Sequence, residues 1–300
     1  MRARVWGCRG SIAAPGRQTV RYGGNTSCVE LELDDGSVAV LDAGTGMREL
    51  GRKLLSDGVR CVHVMLSHLH LDHLQGLAFF APLYQRDVEL HLWGPPSPLR
   101  SLSERVGLYM SDPLFPVSLH DVPCTLVVHD APLDGAALGD GHLYAAPIAH
   151  NGPTVGYRIE AGGRALAYLP DHEPALGVAE LRAAEVAWIS GHDLASGVDL
   201  LLHDAQYSEA EYPDHIGWGH SSIDHVVQFA TLADVDQLVL FHHDPGHSDD
   251  DLEQLHARAA ELWGARPNPP VLAYDGMELE LPAAPLAGAN VAATNAPAAV

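Results

Sequence analysis

Short apolar runs separated by turn residues dominate the first half of the chain, and helical spacing alternates with further short runs in the second. Residues 27–33 and 37–41 flank Asp34-Asp35-Gly36, the pattern of two strands joined by a tight turn. Met47, Leu50, Leu54 and Leu55 fall on one face at helical spacing, which predicts a helix over 47–55. A buried strand is predicted over 62–66, ending at Ser67, and another over 88–93, followed by Pro95, Pro96 and Pro98 and a helix over about 99–110. The stretch 124–160 reads as several β segments with glycine-rich turns, and 165–169 as one more strand. Helix 223–232, strand 237–241, helix 249–263 and strand 271–274 complete the pattern. Elements of both kinds interleaved throughout predict a layered α/β sandwich. Residues 282–300 are uncharged and dominated by Ala, Pro and Asn, too poor in large apolar side chains to pack; they are expected to form a mobile tail behind a single domain, 1–281.

Composition narrows the chemistry. The 300 residues are 47% hydrophobic, enough for a sizeable core, and carry 39 Asp+Glu against 17 Lys+Arg for a formal charge of -22. Binding of phosphate backbone over a wide surface rests on many Lys/Arg contacts, so this charge argues against an extended nucleic-acid groove. Nineteen histidines outnumber all lysines and arginines together. Histidine is the commonest metal ligand and the usual proton carrier near neutral pH, which points to metal chemistry. Cys8, Cys28, Cys61 and Cys124 show no C-x-x-C spacing and are expected to be reduced core residues. No apolar stretch is long enough for a signal peptide or membrane span, so a cytoplasmic protein without membrane partners is expected, and a homodimer is compatible with the sequence.

The strongest chemical signal is His68-x-His70-x-Asp72-His73, directly after a predicted strand. Side chains two apart in extended chain point the same way, so His68 and His70 can converge on one ion, while Asp72 and His73 can face a second where the chain turns. Ser67 to His73 resembles the signature of the metallo-β-lactamase fold superfamily. The resemblance continues in order through Ala149-His150-Asn151, Tyr168-Leu169-Pro170-Asp171 and Leu240-Phe241-His242-His243, over roughly residues 1 to 280. It implies a four-layer αβ/βα sandwich with a dinuclear site at one edge of two sheets. It also implies that His68, His70 and His150 bind one ion, that Asp72, His73 and His242 bind the other, and that Asp171 bridges them. Imidazole with carboxylate suits zinc, with manganese or iron compatible. His242 is preferred to His243 because the strand 237–241 ends there and alternation lets only one of the pair face the site. Asp42, at the end of strand 37–41, is either a partner that fixes a histidine tautomer or, like Thr45, a helix cap. The glycines of the opening segment, which include Gly7 and Gly10, either let backbone approach a ligand closely or make turns, and turns are expected for most of them.

Leu201 to Tyr207 followed by Gly217-Trp218-Gly219-His220-Ser221-Ser222 resembles the phosphodiesterase branch of that superfamily, which includes tRNA 3′-processing endonucleases and cyclic-phosphate hydrolases. The resemblance places His220 near the scissile phosphate and Asp204 behind it, where relatives often carry glutamate. Ser221 or Ser222 would also cap the following helix. The implied reaction is attack by a hydroxide held between the ions, with Asp72 orienting it and His220 stabilising or protonating the leaving oxygen. The RNA-processing relatives carry a long arm between the motifs matching His150 and Asp171, which here are 171 − 150 = 21 positions apart. With the charge, this favours a small phosphodiester, such as a cyclic nucleotide, over extended nucleic acid. Hydrolysis of a carboxylic ester, lactone or thioester is the rival reaction, and a metal-retaining binding or sensing module the rival class.

Overall fold

The computed structural model describes residues 1–181 and 183–284. Its first sheet is built from β1 (Arg2–Gly7), β2 (Cys28–Glu32), β3 (Val38–Leu41), β4 (Cys61–Met65), β5 (Glu89–Gly94) and β6 (Thr125–Asp130) in that order. The second holds β7 (Ala136–Leu138), β8 (Gly141–Pro147), β9 (Val155–Ala161), β10 (Arg164–Leu169), β11 (Leu200–Asp204), β12 (Gln237–Phe241) and β13 (Val271–Leu272), again side by side in sequence order. The chain then returns as β14 (Glu278–Glu280) to pair antiparallel with β1. Each sheet begins with antiparallel meander strands and turns parallel, at β3–β4 and β10–β11. The parallel strands therefore send their C-terminal ends, at Met65, Leu169, Asp204 and Phe241, toward one edge.

Apolar alternation places one core between the sheets, where Val5, Leu31, Leu41, Met65, Tyr157, Tyr168, Leu202 and Phe241 meet. A second core lies between the first sheet and helices α1 (Met47–Ser56), α2 (Leu71–Leu74) and α3 (Leu102–Tyr109). A third lies between the second sheet and α4 (His192–Ala195), α5 (Ile223–Leu232) and α6 (Asp249–Trp263). The result is the four-layer αβ/βα sandwich. Helix starts follow the expected cap chemistry: Ser101 with Glu104 and Ser248 with Asp251 form capping boxes, and Ser222 caps α5.

Several expectations change in detail. The glycine-rich opening conceals β1, whose alternation of Arg2, Arg4 and Trp6 with buried Ala3 and Val5 is that of a half-covered strand. Strand 271–274 shrinks to β13. Cys61 is exposed at the start of β4, so it is not a core residue, whereas Cys8, Cys28 and Cys124 are buried. Backbone bonding continues past the expected boundary at 281, since Ala284 N donates to Gly162 O at 2.9 Å; the remainder of the expected tail, 285–300, lies outside the described residues. Among the described residues no helix is long and apolar enough to cross a membrane.

The two sheets are stitched where the site will form. Tyr157 on β9 donates its buried hydroxyl to Leu66 O at 2.8 Å, and Val155 N donates to Ser67 O at 2.9 Å. Tyr157→Phe leaves that carbonyl without its donor and is expected to cost about 1–3 kcal/mol, read as a lower urea midpoint at unchanged slope. An unchanged midpoint would show that the stitch carries no stability.

Candidate metal centre

The segment after β4 turns at His68 and enters α2, so one short stretch supplies His68, His70, Asp72 and His73. His150 comes from the loop after β8, Asp171 from the end of β10, and His242 from the end of β12. These seven residues converge. Donor atoms of His68, His70, His150 and Asp171 lie within 4.8 Å of one another, and so do those of Asp72, His73, Asp171 and His242. Asp171 belongs to both groups: its Oδ1 is 3.0 Å from His73 Nε2 and 3.2 Å from His242 Nε2, while Oδ2 is 3.6 Å from both His68 Nε2 and His150 Nε2. Asp72 Oδ2 lies 3.0 Å from His73 Nε2 and 3.2 Å from His242 Nε2, and accepts from Ser11 N at 2.8 Å.

The ring orientations are set from outside the cluster. His73 Nδ1 donates to Asp42 Oδ2 at 2.7 Å. His68 Nδ1 donates to Ser67 Oγ at 3.0 Å, because the Ser67 hydroxyl itself donates to Asp42 Oδ2 at 2.8 Å. His150 Nδ1 donates to Gly219 O at 2.9 Å, and His242 Nδ1 donates to Gln206 Oε1 at 3.0 Å. With each Nδ1 committed outward, every one of these rings turns its Nε2 toward the cluster. There, His73 Nε2 and His242 Nε2 are 3.3 Å apart, His150 Nε2 and His70 Nδ1 are 3.2 Å apart, and His68 Nε2 and Asp171 Oδ1 are buried without a hydrogen-bond partner. Lone pairs facing one another at such distances are stabilised by cations between them, and imidazole with carboxylate is a donor set for divalent metals. Burial, aided by His73, holds His68 well below its ordinary pKa. Burial disfavours charge on Asp171 and His73 as well, but His242, His73 and His68 keep Asp171 ionised, and Asp171, Asp72 and Asp42 hold His73 well above its ordinary value. Bound cations would take over the role of that proton.

Asp42 emerges as the partner of His73, with Tyr168 OH adding a third donor to its Oδ2 at 2.9 Å, and not as a cap. Helix α1 starts at Gly46 without a side-chain cap, and Thr45 Oγ1 instead accepts from Thr26 N at 2.9 Å. The histidine pair separates as its strand ends: His242, at φ 58°, enters the cluster, while His243 turns away to donate to Ala273 O at 3.0 Å, its pKa pushed down to about 3 by burial. Gly10 is no turn glycine. A Cβ there would lie 2.4 Å from His242 Cε1, so its role is close approach, as at Gly7, where a Cβ would meet Thr26 O at 2.0 Å.

His220 Nδ1 donates to Asp204 Oδ2 at 2.6 Å, so the shorter aspartate makes the contact that relatives often make through glutamate. Burial opposes charge on this ring, yet Asp204 outweighs it and pushes the pKa up to about 9. His220 opens into one cavity of about 420 Å³ with His70, Asp72, Asp171 and His242. Sequence reasoning missed two supports. Gln206 fixes His242 as described, and Glu173, fully buried, accepts from Tyr212 OH, Gly217 N and Gly219 N at 2.8–3.0 Å, holding the loop whose Gly219 carbonyl orients His150. The one signal for Glu173 was an acidic residue two positions past Asp171, in a segment entering the core.

Residues 39–243 match the family described as Beta-lactamase superfamily domain. The chain belongs to the metallo-β-lactamase superfamily. It is a metal-dependent hydrolase of the phosphodiesterase-like branch, and the ions its fold implies are divalent. It is 26% identical over 259 residues to the Ribonuclease Z of Myxococcus xanthus, covering 73% of this chain and 80% of that one. Human tRNase Z, short form, shares the fold with a TM-score of 0.64 at 19% identity, over 94% of this chain and all of that one. A diphosphatase of the PhnP family does so with 0.63 at 19% identity, over 93% and 97%. These relatives overturn the exclusion of extended nucleic acid: the chain is similar to enzymes named for RNA. The reasoning failed because net charge sums the whole surface, whereas recognition depends on the field and donors near one scissile bond.

Glu173→Gln replaces an acceptor-only group with one whose amide must face backbone N–H donors. It is expected to cost about 2–3 kcal/mol, read as a drop in thermal midpoint; an unchanged midpoint would remove Glu173 from the supports of the His150 loop.

Proposed function

We propose that the chain hydrolyses phosphodiesters with two divalent cations, zinc by donor type, in the cytoplasm. His68, His70 and His150 would hold one, Asp72, His73 and His242 the other, and Asp171 would be shared. Bound ions supply acidity to a coordinated water and draw charge from a phosphate oxygen. The chain's own groups do the rest. Asp72, its Oδ2 fixed by Ser11 N, orients the attacking oxygen, and His220, its Nδ1 tied to Asp204, stabilises or protonates the departing alkoxide. The observation that carries this reading is His220, paired behind with the buried Asp204, opening into the same cavity as Asp72 and Asp171. A positioned acid serves a poor alkoxide leaving group, and the Ribonuclease Z relatives cleave RNA by name. RNA and small cyclic nucleotides are both candidate substrates.

The metal-loaded protein should cleave bis(p-nitrophenyl) phosphate, lose that activity to a chelator and regain it with zinc. Cleavage of p-nitrophenyl acetate alone would replace this reading with carboxylic-ester chemistry, and two retained ions with no turnover would favour a binding module. Product analysis on a precursor tRNA and a cyclic-nucleotide panel then identifies the substrate. His220→Ala should lower kcat about 10²-fold or more on an alkyl phosphodiester and much less on the p-nitrophenyl ester, whose leaving group needs no proton. Equal losses would remove the acid role.

Asp171→Ala is expected to lower the content of both ions, measured by elemental analysis, because each group of donors loses an oxygen; two ions at full occupancy would refute the shared role. His242→Ala should cost far more activity than His243→Ala, and equal effects would overturn that assignment.

A further inference from the structure

Beside the metal cavity lies a second of about 430 Å³, continuous with it through Leu69, His70 and Leu71. Its walls are apolar, yet the fold does not close them. Leu71, Leu108 and Leu114 line it while remaining 62%, 57% and 69% exposed, an apolar rim that a free surface has no reason to keep next to a site for anions. The framework is rigid: Tyr109, also lining it, is fixed by its hydroxyl donating to Gln75 O at 2.7 Å, just past the metal-binding turn. Apart from His68 and His70 on the side of the metal cavity, Arg105 and Asn151 interrupt the wall. Asn151 follows His150 directly and donates its amide to Trp218 O at 3.2 Å, while Arg105 donates to Pro95 O and keeps its Nε buried without a partner.

Apolar walls with a few polar groups, a volume in the range of small-molecule sites and direct access to a phosphate centre describe a receptor for a flat ring with polar edges. We propose that this cavity receives a nucleobase attached to the phosphodiester, its faces against the leucines and Tyr109 and its edge toward Arg105 and Asn151. An alkyl chain would make no use of Arg105 and Asn151, and a run of further phosphates would meet leucine and one cation. The proposal rests on the phosphodiesterase reading and assigns its specificity: the base next to the scissile linkage is recognised, in RNA and in small nucleotides alike.

Calorimetry on the zinc-loaded full chain compares adenosine 5′-monophosphate with ribose 5-phosphate, which differ by the base alone, and hydrolysis of bis(p-nitrophenyl) phosphate is measured on the same preparation. The nucleotide should bind at least ten-fold tighter, and Leu108→Asp should bring the ratio to within about three-fold. Leu114→Asp, at a more exposed position, should do the same, so the result does not hang on one folded variant. Equal binding of the two ligands, or a preference untouched by both variants, overturns the base pocket while hydrolysis stands. Absence of any diester hydrolysis overturns the phosphodiesterase reading, and the proposal falls with it.

Discussion

The structure depends on one constraint: four imidazoles must aim their inner nitrogens at one small, largely buried cluster. Nothing within the cluster can enforce that. Each ring is held by its far nitrogen, His73 by Asp42, His68 by Ser67, His150 by the Gly219 carbonyl and His242 by Gln206. Such outer partners fix the direction of each ring and leave its Nε2 as the atom that faces the cluster. The cost appears in the backbone. Asp42, Ser11 and His242, all at the cluster, sit at φ 60°, 60° and 58°, a region that side chains other than glycine seldom adopt. Three unfavourable residues in one place persist only because the packing around them leaves no alternative.

That packing is the sandwich itself. Both sheets send parallel strand ends to the same edge, and the chain then zips them together: His243 N donates to Cys8 O and Gly10 N to His243 O, both at 2.9 Å. Arg9, fully buried between those contacts, gives its guanidinium to the carbonyls of Gly23, Asp244 and His247. A buried guanidinium is tolerated only with such partners, so the opening segment and the loop after β12 are locked in register. His242 is thereby placed against Gly10, where no side chain would fit. Fold and site are one constraint at this edge.

What could be read from the sequence follows from range. The helices α5 and α6 and strand β12 carry their own periodicity and caps, and the structure gives them the bounds that pattern predicts. Residues His68 to His73 could be read because their spacing alone brings side chains to one side. β14, by contrast, is three residues long and pairs with a strand at the other end of the chain, so no local pattern marks it. Glu173 and Gln206 were hidden for the same reason: an acceptor's role is defined by the donors that arrive from elsewhere. Gly10 was grouped with turn glycines because glycine's other use, letting a ring approach backbone, leaves no trace in neighbouring residues. His172 and His203 complete the account of the histidine excess in part. They are buried and neutral, His172 Nδ1 donating to His203 Nε2 at 2.9 Å and His203 Nδ1 to Asp204 O at 2.7 Å, so one chain of imidazoles supports the backbone of the residue that holds His220.

The acidic surface and the site obey different arithmetic. Many of the cations are committed to carboxylates: Arg21 to Asp249, Asp250 and Glu253, Arg258 to Asp224 and Glu261, Lys53 to Glu30 and Asp57. Screening confines the field of such paired surface charges to about a Debye length, roughly 8 Å in physiological salt, so they say little about what the site accepts. Inside the cluster the charges are gathered in one place, because Asp72 and Asp171 are buried among imidazoles. Affinity for a phosphate is concentrated at one linkage, whatever the length of the molecule that carries it. Discrimination must then come from what surrounds that linkage, and the neighbouring cavity offers leucines and Tyr109 with Arg105 and Asn151 among them.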